Sequence, residues 1–150
     1  MQIYFEDVSI GDSLSDLYKH PTPRQLVMWA GASGEFSEMH YDKDFALKMG
    51  FPGIIVHGML MASFLAQLIT NWMGEWGILK RIKTSNRQFV LVNQDIFCKG
   101  KVKNKYEKEG ENLVECEIWV ENNLGERCVV GEAIVSLPTR EKKLVLTKGR

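Results

Sequence analysis

The stretch VHGMLMASFLAQLITNW, residues 56–72, predicts a long helix that is apolar nearly all the way round. A helix without a polar face is covered on most sides, so this one is expected at the centre of the molecule. Polar residues such as His57 and Ser63 interrupt the stretch, and the segment after it has the pattern of a water-soluble sheet. We therefore interpret residues 56–72 as a buried core helix and not as a membrane span.

The second half of the chain predicts strands. A strand is predicted over 113–120. Apolar residues at 114, 116, 118 and 120 alternate there with Glu115, Glu117, Trp119 and Glu121, as expected for an antiparallel strand with one buried face. Further strands are predicted at 89–92, 95–102 and 127–137, with hairpin turns at 109–112 and 122–125. Helices followed by consecutive strands predict an α+β fold, in which an antiparallel sheet wraps against the long helix.

Two shorter helices are predicted before the central one. Thr22 and Pro23 have the residue types of an N-cap and a first helical position, and this helix is expected to end between Gly31 and Gly34. Asp42 is expected to cap a second, short helix that stops at Gly50. The loop between the two helices is therefore bracketed by two caps.

Composition limits the possible partners. The 150 residues, 45% hydrophobic and 25% charged, predict one domain over 1–150, of which about 139–150 is expected to be a solvated, lysine-rich tail. A formal net charge of zero argues against a nucleic-acid partner. Three widely spaced cysteines suggest neither disulfides nor a zinc site. The N-terminus has no signal-peptide pattern, so a cytoplasmic protein without a membrane partner is expected.

The loop GEFSEMHYD, residues 34–42, carries the first candidates for chemistry. His40 follows Glu35 by five residues. Imidazole is a natural general base near neutral pH, and a nearby carboxylate could orient the ring or hold a water. A surface or capping role remains the alternative for this histidine. His40, Asp42 and His57 also have the residue types of an iron site, but a loop and a helix start do not suit its geometry, so no metal is predicted.

The start of the central helix supplies the second group of candidates. Free backbone N–H groups in a first helical turn can hold an oxyanion, and Gly58 would admit a carbonyl without an obstructing Cβ. Close packing alone could also require this glycine. Ser63 could face a substrate pocket or bond back to the helix backbone. The spacing of Gly58, Ala62 and Ala66 gives a stripe of small side chains along which another backbone could lie.

These motifs, in this order, resemble the hydratase signature of the MaoC-like dehydratases, which include the R-specific enoyl-CoA hydratases. The resemblance covers nearly the whole chain, and its core is residues 32–42, 50–52, 55–59 and 62–63, with Tyr4-Phe5-Glu6-Asp7, Gly11-Asp12, Arg87, Phe89, Asp95 and 131–133 on either side. It implies a hotdog fold, in which a curved antiparallel sheet wraps a long central helix.

The resemblance also implies an activity, the reversible syn addition of water to a trans-2-enoyl thioester of CoA or an acyl-carrier protein. Glu35 and His40 match the catalytic pair and would share a water. Gly58 matches the glycine whose N–H receives the thioester oxygen, and Ser63 and Ser37 are the further expected substrate contacts. The reaction requires no metal or redox cofactor.

The chain departs from the family pattern within the loop. Glu35 replaces the usual aspartate, Ser37 the usual asparagine, and Glu38 the usual proline. The additional methylene of glutamate moves its carboxyl by about 1 Å unless the loop compensates. Two other hypotheses therefore stand beside the active hydratase: a non-catalytic subunit that pairs with a competent relative, and a thioesterase on the same fold.

An assembly is expected as well. The exposed sheet edge and the small-residue stripe predict a homodimer or a higher oligomer, and a heteromer with a related subunit is the alternative. A basic cluster follows the central helix, consisting of Lys80, Arg81, Lys83 and Arg87. It could meet the phosphates of CoA, but a solvated face is the preferred interpretation.

Overall fold

A computed structural model describes residues 1–141 of the chain. One antiparallel sheet of five strands, in the order β1-β3-β4-β5-β2, forms the larger part of the structure. The strands are β1 (Leu17–Lys19), β2 (Ile78–Asn86), β3 (Ile96–Lys108), β4 (Glu111–Asn122) and β5 (Arg127–Ser136). The helices are α1 (Pro23–Ser33), α2 (Lys43–Lys48) and α3 (Gly58–Met73), with short 3-10 turns at Phe5–Asp7 and Glu38–His40.

Helix α3 is the centre of the fold. It contacts all five strands, and Leu65 and Ile69 on it have no exposed surface. The sheet is therefore curled around this helix, which confirms the α+β prediction. The helix begins at Gly58, two residues later than predicted, because His57 has extended backbone angles and serves as the N-cap. None of the helices within residues 1–141 is long and apolar enough to cross a membrane.

The strand periodicity of residues 113–120 is confirmed in β4. Val114, Cys116, Ile118 and Val120 are fully buried, whereas the residues between them are only partly covered. The β3–β4 turn places Glu109 and Gly110 at φ values of 52° and 78°. Positive φ at both central residues gives the twist that a two-residue hairpin needs, so this turn joins the strands as predicted.

Strand β2 was not predicted, because its alternation is broken. The pairing of β2 with β5 shifts register between Leu79 and Arg81, so two consecutive residues, Lys80 and Arg81, are both exposed. A similar register shift lies between Val102 and Asn104 in β3. The second half of this strand therefore lacks a regular alternation in the sequence, and β3 extends well beyond the predicted end at residue 102. A bulge reverses the apolar and polar faces, and the sequence pattern then no longer has period two.

The predicted strand at 89–92 is wrong. This segment makes only an isolated bridge between Ile55 and Leu91. The N–H groups of Arg87 and Gln88 both bond to the carbonyl of Cys128, which ends the regular ladder of β2 before the segment begins. The segment still buries Val90 in the core, which explains why it has an apolar sequence without forming a strand.

Only the first residues of the predicted C-terminal tail lie within the part of the chain that the structure describes. Residues 142–150 lie outside the described range. Of the predicted tail at 139–150, Arg140 donates to the carboxylate of Asp7 at 2.6 Å. The chain after β5 therefore returns to the N-terminal 3-10 turn before the described residues end.

Candidate active site

The loop between α1 and α2 is fixed at both ends by helix caps. Gly34 ends α1 in the left-handed conformation, with φ of 76°, and its N–H donates to the carbonyl of Ala30. Asp42 begins α2, and its carboxylate accepts from the N–H of Phe45 at 3.0 Å. Both caps were predicted. They hold the ends of the loop that carries Glu35 and His40.

The carboxylate of Glu35 is bound by Ser37 within the same loop. Its Oε1 accepts from the backbone N–H of Ser37 at 2.8 Å and from the Ser37 hydroxyl at 2.5 Å. These two hydrogen bonds, the hydroxyl's first, hold the pKa of Glu35 below its ordinary value. Glu35 is therefore an exposed, ionised carboxylate at neutral pH.

The ring of His40 is oriented by a backbone carbonyl and not by Glu35. Its Nδ1 lies 2.8 Å from the carbonyl oxygen of Ile55, which can only accept, so Nδ1 carries the hydrogen. In the neutral ring Nε2 is then the acceptor. The half-buried His40 side chain therefore offers one unprotonated nitrogen as a base.

His57 connects the loop to the start of α3. Its side chain is only 1% exposed, and its ring stacks on that of His40 with centroids 3.9 Å apart. Its Nε2 donates to the backbone carbonyl of Glu35 at 3.3 Å. Burial first, and then the neighbouring His40, lower the pKa of His57, so this ring stays neutral. His57 was predicted only as part of the helix start. Its position within an apolar run was the feature of the sequence that could have indicated a buried ring packed against other side chains.

Gly58 begins α3 with its backbone close to another element. A carbon in the Cβ position of this glycine would overlap the side-chain amide nitrogen of Asn86, at the end of β2. The close-packing role considered for this glycine is therefore confirmed, and Gly58 is also the first residue of α3. The N–H groups of a first turn have no partner inside their own helix.

Two cavities flank His40. One, of about 270 Å³, is lined by His40, Gly58, Asn86, Arg87 and other residues. The other, of about 310 Å³, is lined mainly by apolar side chains, including Leu26, Val27 and Phe36, together with His40 and His57. His40 therefore lies between two cavities. One is lined by polar groups and the start of α3, and the other is mostly apolar.

Ser63 bonds back to its own helix. Its hydroxyl donates to the carbonyl of Leu60 at 2.6 Å, one of the two roles considered for it. Among the described residues that line the two cavities beside His40, Ser63 does not occur. The structure thus brings Glu35, Ser37, His40 and Gly58 into one region and leaves Ser63 further along α3. Of the predicted basic cluster, only Arg87 lines the cavity that contains Gly58.

Comparisons with known proteins identify the family of the chain. Residues 8–123 match the family model described as MaoC like domain. An (R)-specific enoyl-CoA hydratase of Aeromonas caviae is 29% identical over 115 residues, which cover 76% of this chain and 84% of that protein. The fatty acid synthase beta subunit TOXC of Cochliobolus carbonum is 28% identical over 117 residues, which cover 76% of this chain but only 5% of that protein.

Solved structures share the fold. The (R)-hydratase from A. caviae involved in PHA biosynthesis has a TM-score of 0.80 and 26% sequence identity, and the match covers 89% of this chain and 99% of that one. The ChsH1-ChsH2 complex from Mycobacterium tuberculosis has a TM-score of 0.77 and 22% identity, with 86% and 98% covered. These likenesses confirm the predicted hotdog fold.

Proposed function

The chain belongs to the MaoC-like domain family, and from this premise we propose that it is a hydro-lyase that interconverts trans-2-enoyl-CoA and (R)-3-hydroxyacyl-CoA. One observation carries the proposal: the base His40 and the helix start at Gly58 line the same cavity. Addition of water to an enoyl thioester needs a base for the water and a donor for the thioester oxygen, and both must reach one substrate at once.

The proposed reaction uses only groups of this chain. A water held between Glu35 and His40 gives its proton to Nε2 of His40, and its oxygen forms a bond to C3 of the substrate. The electrons of the C2=C3 bond move toward the thioester carbonyl, whose oxygen becomes an enolate oxygen. The N–H of Gly58 stabilises that negative charge. The proton then passes to C2, which restores the thioester and the neutral imidazole.

Glu35 supports this step by its charge. Because its pKa is lowered by Ser37, the carboxylate stays ionised and can accept a hydrogen bond from the attacking water. It also stabilises the imidazolium that forms when His40 takes the proton. His57 stays neutral against the His40 ring, so a second positive charge does not oppose that protonation.

The two cavities suggest how the substrate lies. The apolar cavity beside His40 suits the acyl tail, and the cavity at Gly58 suits the thioester and its polar carrier. We therefore propose an acyl-CoA whose acyl tail enters the apolar cavity as the substrate.

The assignment is tested with two variants and two matched controls. His40→Ala and Glu35→Gln should each lower hydration of a trans-2-enoyl-CoA at least 100-fold, measured by the loss of the enoyl absorbance, without loss of folded structure. His20→Ala and Glu38→Gln should leave the rate unchanged. The His20 ring pairs with Asp95 at 2.7 Å, and among the described residues the Glu38 side chain forms no hydrogen bond with Glu35, His40 or His57. Full activity of both site variants would overturn the assignment.

A second candidate function is a non-catalytic subunit of a heteromeric dehydratase. Two observations favour it: Glu35 replaces the family's aspartate, and one matching structure is a complex of two differently named chains. This alternative predicts that the purified chain is inert and that hydration appears only after mixing with a related subunit. Release of free thiol, without formation of a 3-hydroxyacyl-CoA, would identify a thioesterase.

A further inference from the structure

The last residue of β2, Asn86, places its carboxamide directly against the first residue of α3. A carbon at the Cβ position of Gly58 would overlap the amide nitrogen of Asn86 and lie 3.0 and 3.1 Å from its Cγ and Oδ1. The whole amide therefore fills the space that a side chain at position 58 would occupy. Only glycine at this position leaves the amide where it is.

The backbone around Asn86 is fixed by its neighbour strand. Asn86 pairs with Val129 at the end of the β2–β5 ladder. The next two residues then both donate their N–H groups to the carbonyl of Cys128, at 2.8 and 3.1 Å. The main chain is held on both sides of this residue, so the side chain of Asn86 starts from a fixed position beside α3.

The amide is available to a ligand. Asn86 lines the same cavity as His40 and Gly58. The Asn86 side chain is exposed, and among the described residues, 1–141, no group forms a hydrogen bond with its carboxamide. An amide group carries two N–H donors, and here they lie beside the unpaired N–H groups of the first turn of α3.

We propose that Asn86 is a second hydrogen-bond donor to the thioester oxygen, next to the N–H of Gly58. This inference rests on the proposed function, because it assigns a partner to the oxygen that becomes the enolate. Two donors on that oxygen stabilise the enolate more than the neutral carbonyl, since its negative charge appears only as the water adds. The family pattern carries an asparagine at position 37, where this chain has serine; Asn86 brings a carboxamide to the site from a different element.

Two variants at position 86 test separately the hydrogen-bond donor and the shape of the Asn86 side chain. Asn86→Ala removes the amide, and Asn86→Asp keeps its shape but replaces the donor by a negative charge. Each should lower kcat for a trans-2-enoyl-CoA by about 100-fold, the usual loss for one oxyanion donor, with little change in KM. Asn123→Ala, in the exposed β4–β5 turn, is the matched control and should match the wild type. Unchanged kcat in both Asn86 variants would overturn the inference.

A spectroscopic measurement does not depend on turnover. The probe is saturated octanoyl-CoA labelled with ¹³C at the thioester carbonyl and bound to the wild-type chain. Hydrogen bonding polarises the carbonyl and shifts its ¹³C resonance from the value in water, and Asn86→Ala should reverse part of that shift. No difference between the wild type and Asn86→Ala would overturn the role of Asn86 even where hydration is normal. An Asn86-dependent shift in a chain that hydrates nothing would overturn the hydratase proposal and support the inference.

Substitution at Gly58 gives an independent test of the contact itself. Gly58→Ala should displace the Asn86 amide and lower kcat about as much as Asn86→Ala does. Because both changes act on one contact, the double variant should lose little more than either single variant. Losses that multiply in the double variant would show that the two residues act separately and would contradict the proposal.

Discussion

The carboxylate of Glu35 is held by a neighbour that fits its length. Ser37 reaches it with both its hydroxyl and its backbone N–H, at 2.5 and 2.8 Å. The family pattern has the shorter aspartate and the longer asparagine at these two positions. This chain has the reverse, a longer acid and a shorter partner, so the total length of the pair is nearly kept.

This compensation predicts that the two positions depend on each other. Glu35→Asp alone should withdraw the carboxyl from the Ser37 hydroxyl and lower kcat, by about 10- to 100-fold. The double variant Glu35→Asp with Ser37→Asn should recover most of that loss, as residues in contact are expected to show non-additive effects. Hydration kinetics of the wild type and the three variants, including Ser37→Asn alone, measure the coupling. Additive losses would mean that the pair is not matched in length.

His57 should make stability depend on pH. Its folded pKa lies below the ordinary value of 6.5, because burial disfavours the charged ring. Below pH 6.5 the unfolded chain therefore binds a proton that the folded chain does not, and the free energy of unfolding falls as pH decreases. His57→Phe keeps a ring on His40 but cannot titrate. Denaturant unfolding at several pH values should show a smaller loss of stability on acidification for this variant; an equal loss would contradict the assignment.

The residues of the site differ in how far sequence could predict them. Glu35 and His40 lie in one short loop, and Gly58 begins a periodic helix, so local patterns indicate all three. The stacking of His57 on His40 and the contact of Asn86 with Gly58 join residues that are distant in sequence. Such contacts depend on how α3 and β2 pack in three dimensions, and a local sequence pattern does not predict this packing.

At the scale of elements, β2 and β5 approach each other unusually closely at one glycine. A carbon at the Cβ position of Gly131 would overlap the carbonyl oxygen of Lys83 and lie 3.2 Å from the Cα of Thr84. Both neighbours are backbone atoms of β2, which cannot rotate away as a side chain can. Because Gly131 has no side chain, β2 can lie close enough to β5 to pair with it in the sheet.

Two glycine-to-alanine variants should consequently have opposite effects. Gly131→Ala should lower the free energy of unfolding by about 1–3 kcal/mol, because the added methyl forces the strands apart. Gly31→Ala, inside α1, meets nothing within 4 Å and should raise stability by about 0.5–1 kcal/mol through helix propensity. Chemical denaturation measures both changes. A Gly131→Ala chain as stable as the wild type would contradict the close approach of β2.

Periodic elements were predictable, and elements with a shifted register were not. Helix α3 is apolar over most of its surface, and β4 alternates over residues 114–120, so both stood out in the sequence. The register shifts of β2 and β3 place consecutive residues on one side of the sheet and remove the two-residue period. The three residues of β1 are too few to show any period.

At the scale of the whole molecule, the position of β2 and a set of exposed apolar side chains favour a covering partner. Among residues 1–141, strand β2 is at the end of the sheet, with β5 as its neighbour on one side only. Exposed apolar residues line the two cavities beside His40 or lie next to Gly58, namely Val27, Phe36, Tyr41, Met59 and Phe89. We propose that a second copy of the chain covers this region.

Light scattering after size-exclusion chromatography should then give at least twice the 17.2 kDa mass of one chain. Met59→Lys places a charge in the apolar region and should weaken the assembly. Leu124→Lys, at an equally exposed position in the β4–β5 turn, should leave it intact. A monomeric wild type at the concentrations used for hydration assays would contradict the proposed dimer.

The most direct test of the account is the reaction of the purified wild-type chain with a medium-chain trans-2-enoyl-CoA in D₂O. We predict a 3-hydroxyacyl-CoA of R configuration with one deuterium at C2, added on the same face as the hydroxyl, and at least 100-fold slower formation of this product by His40→Ala. An unchanged enoyl-CoA, or a product of S configuration, would contradict the account.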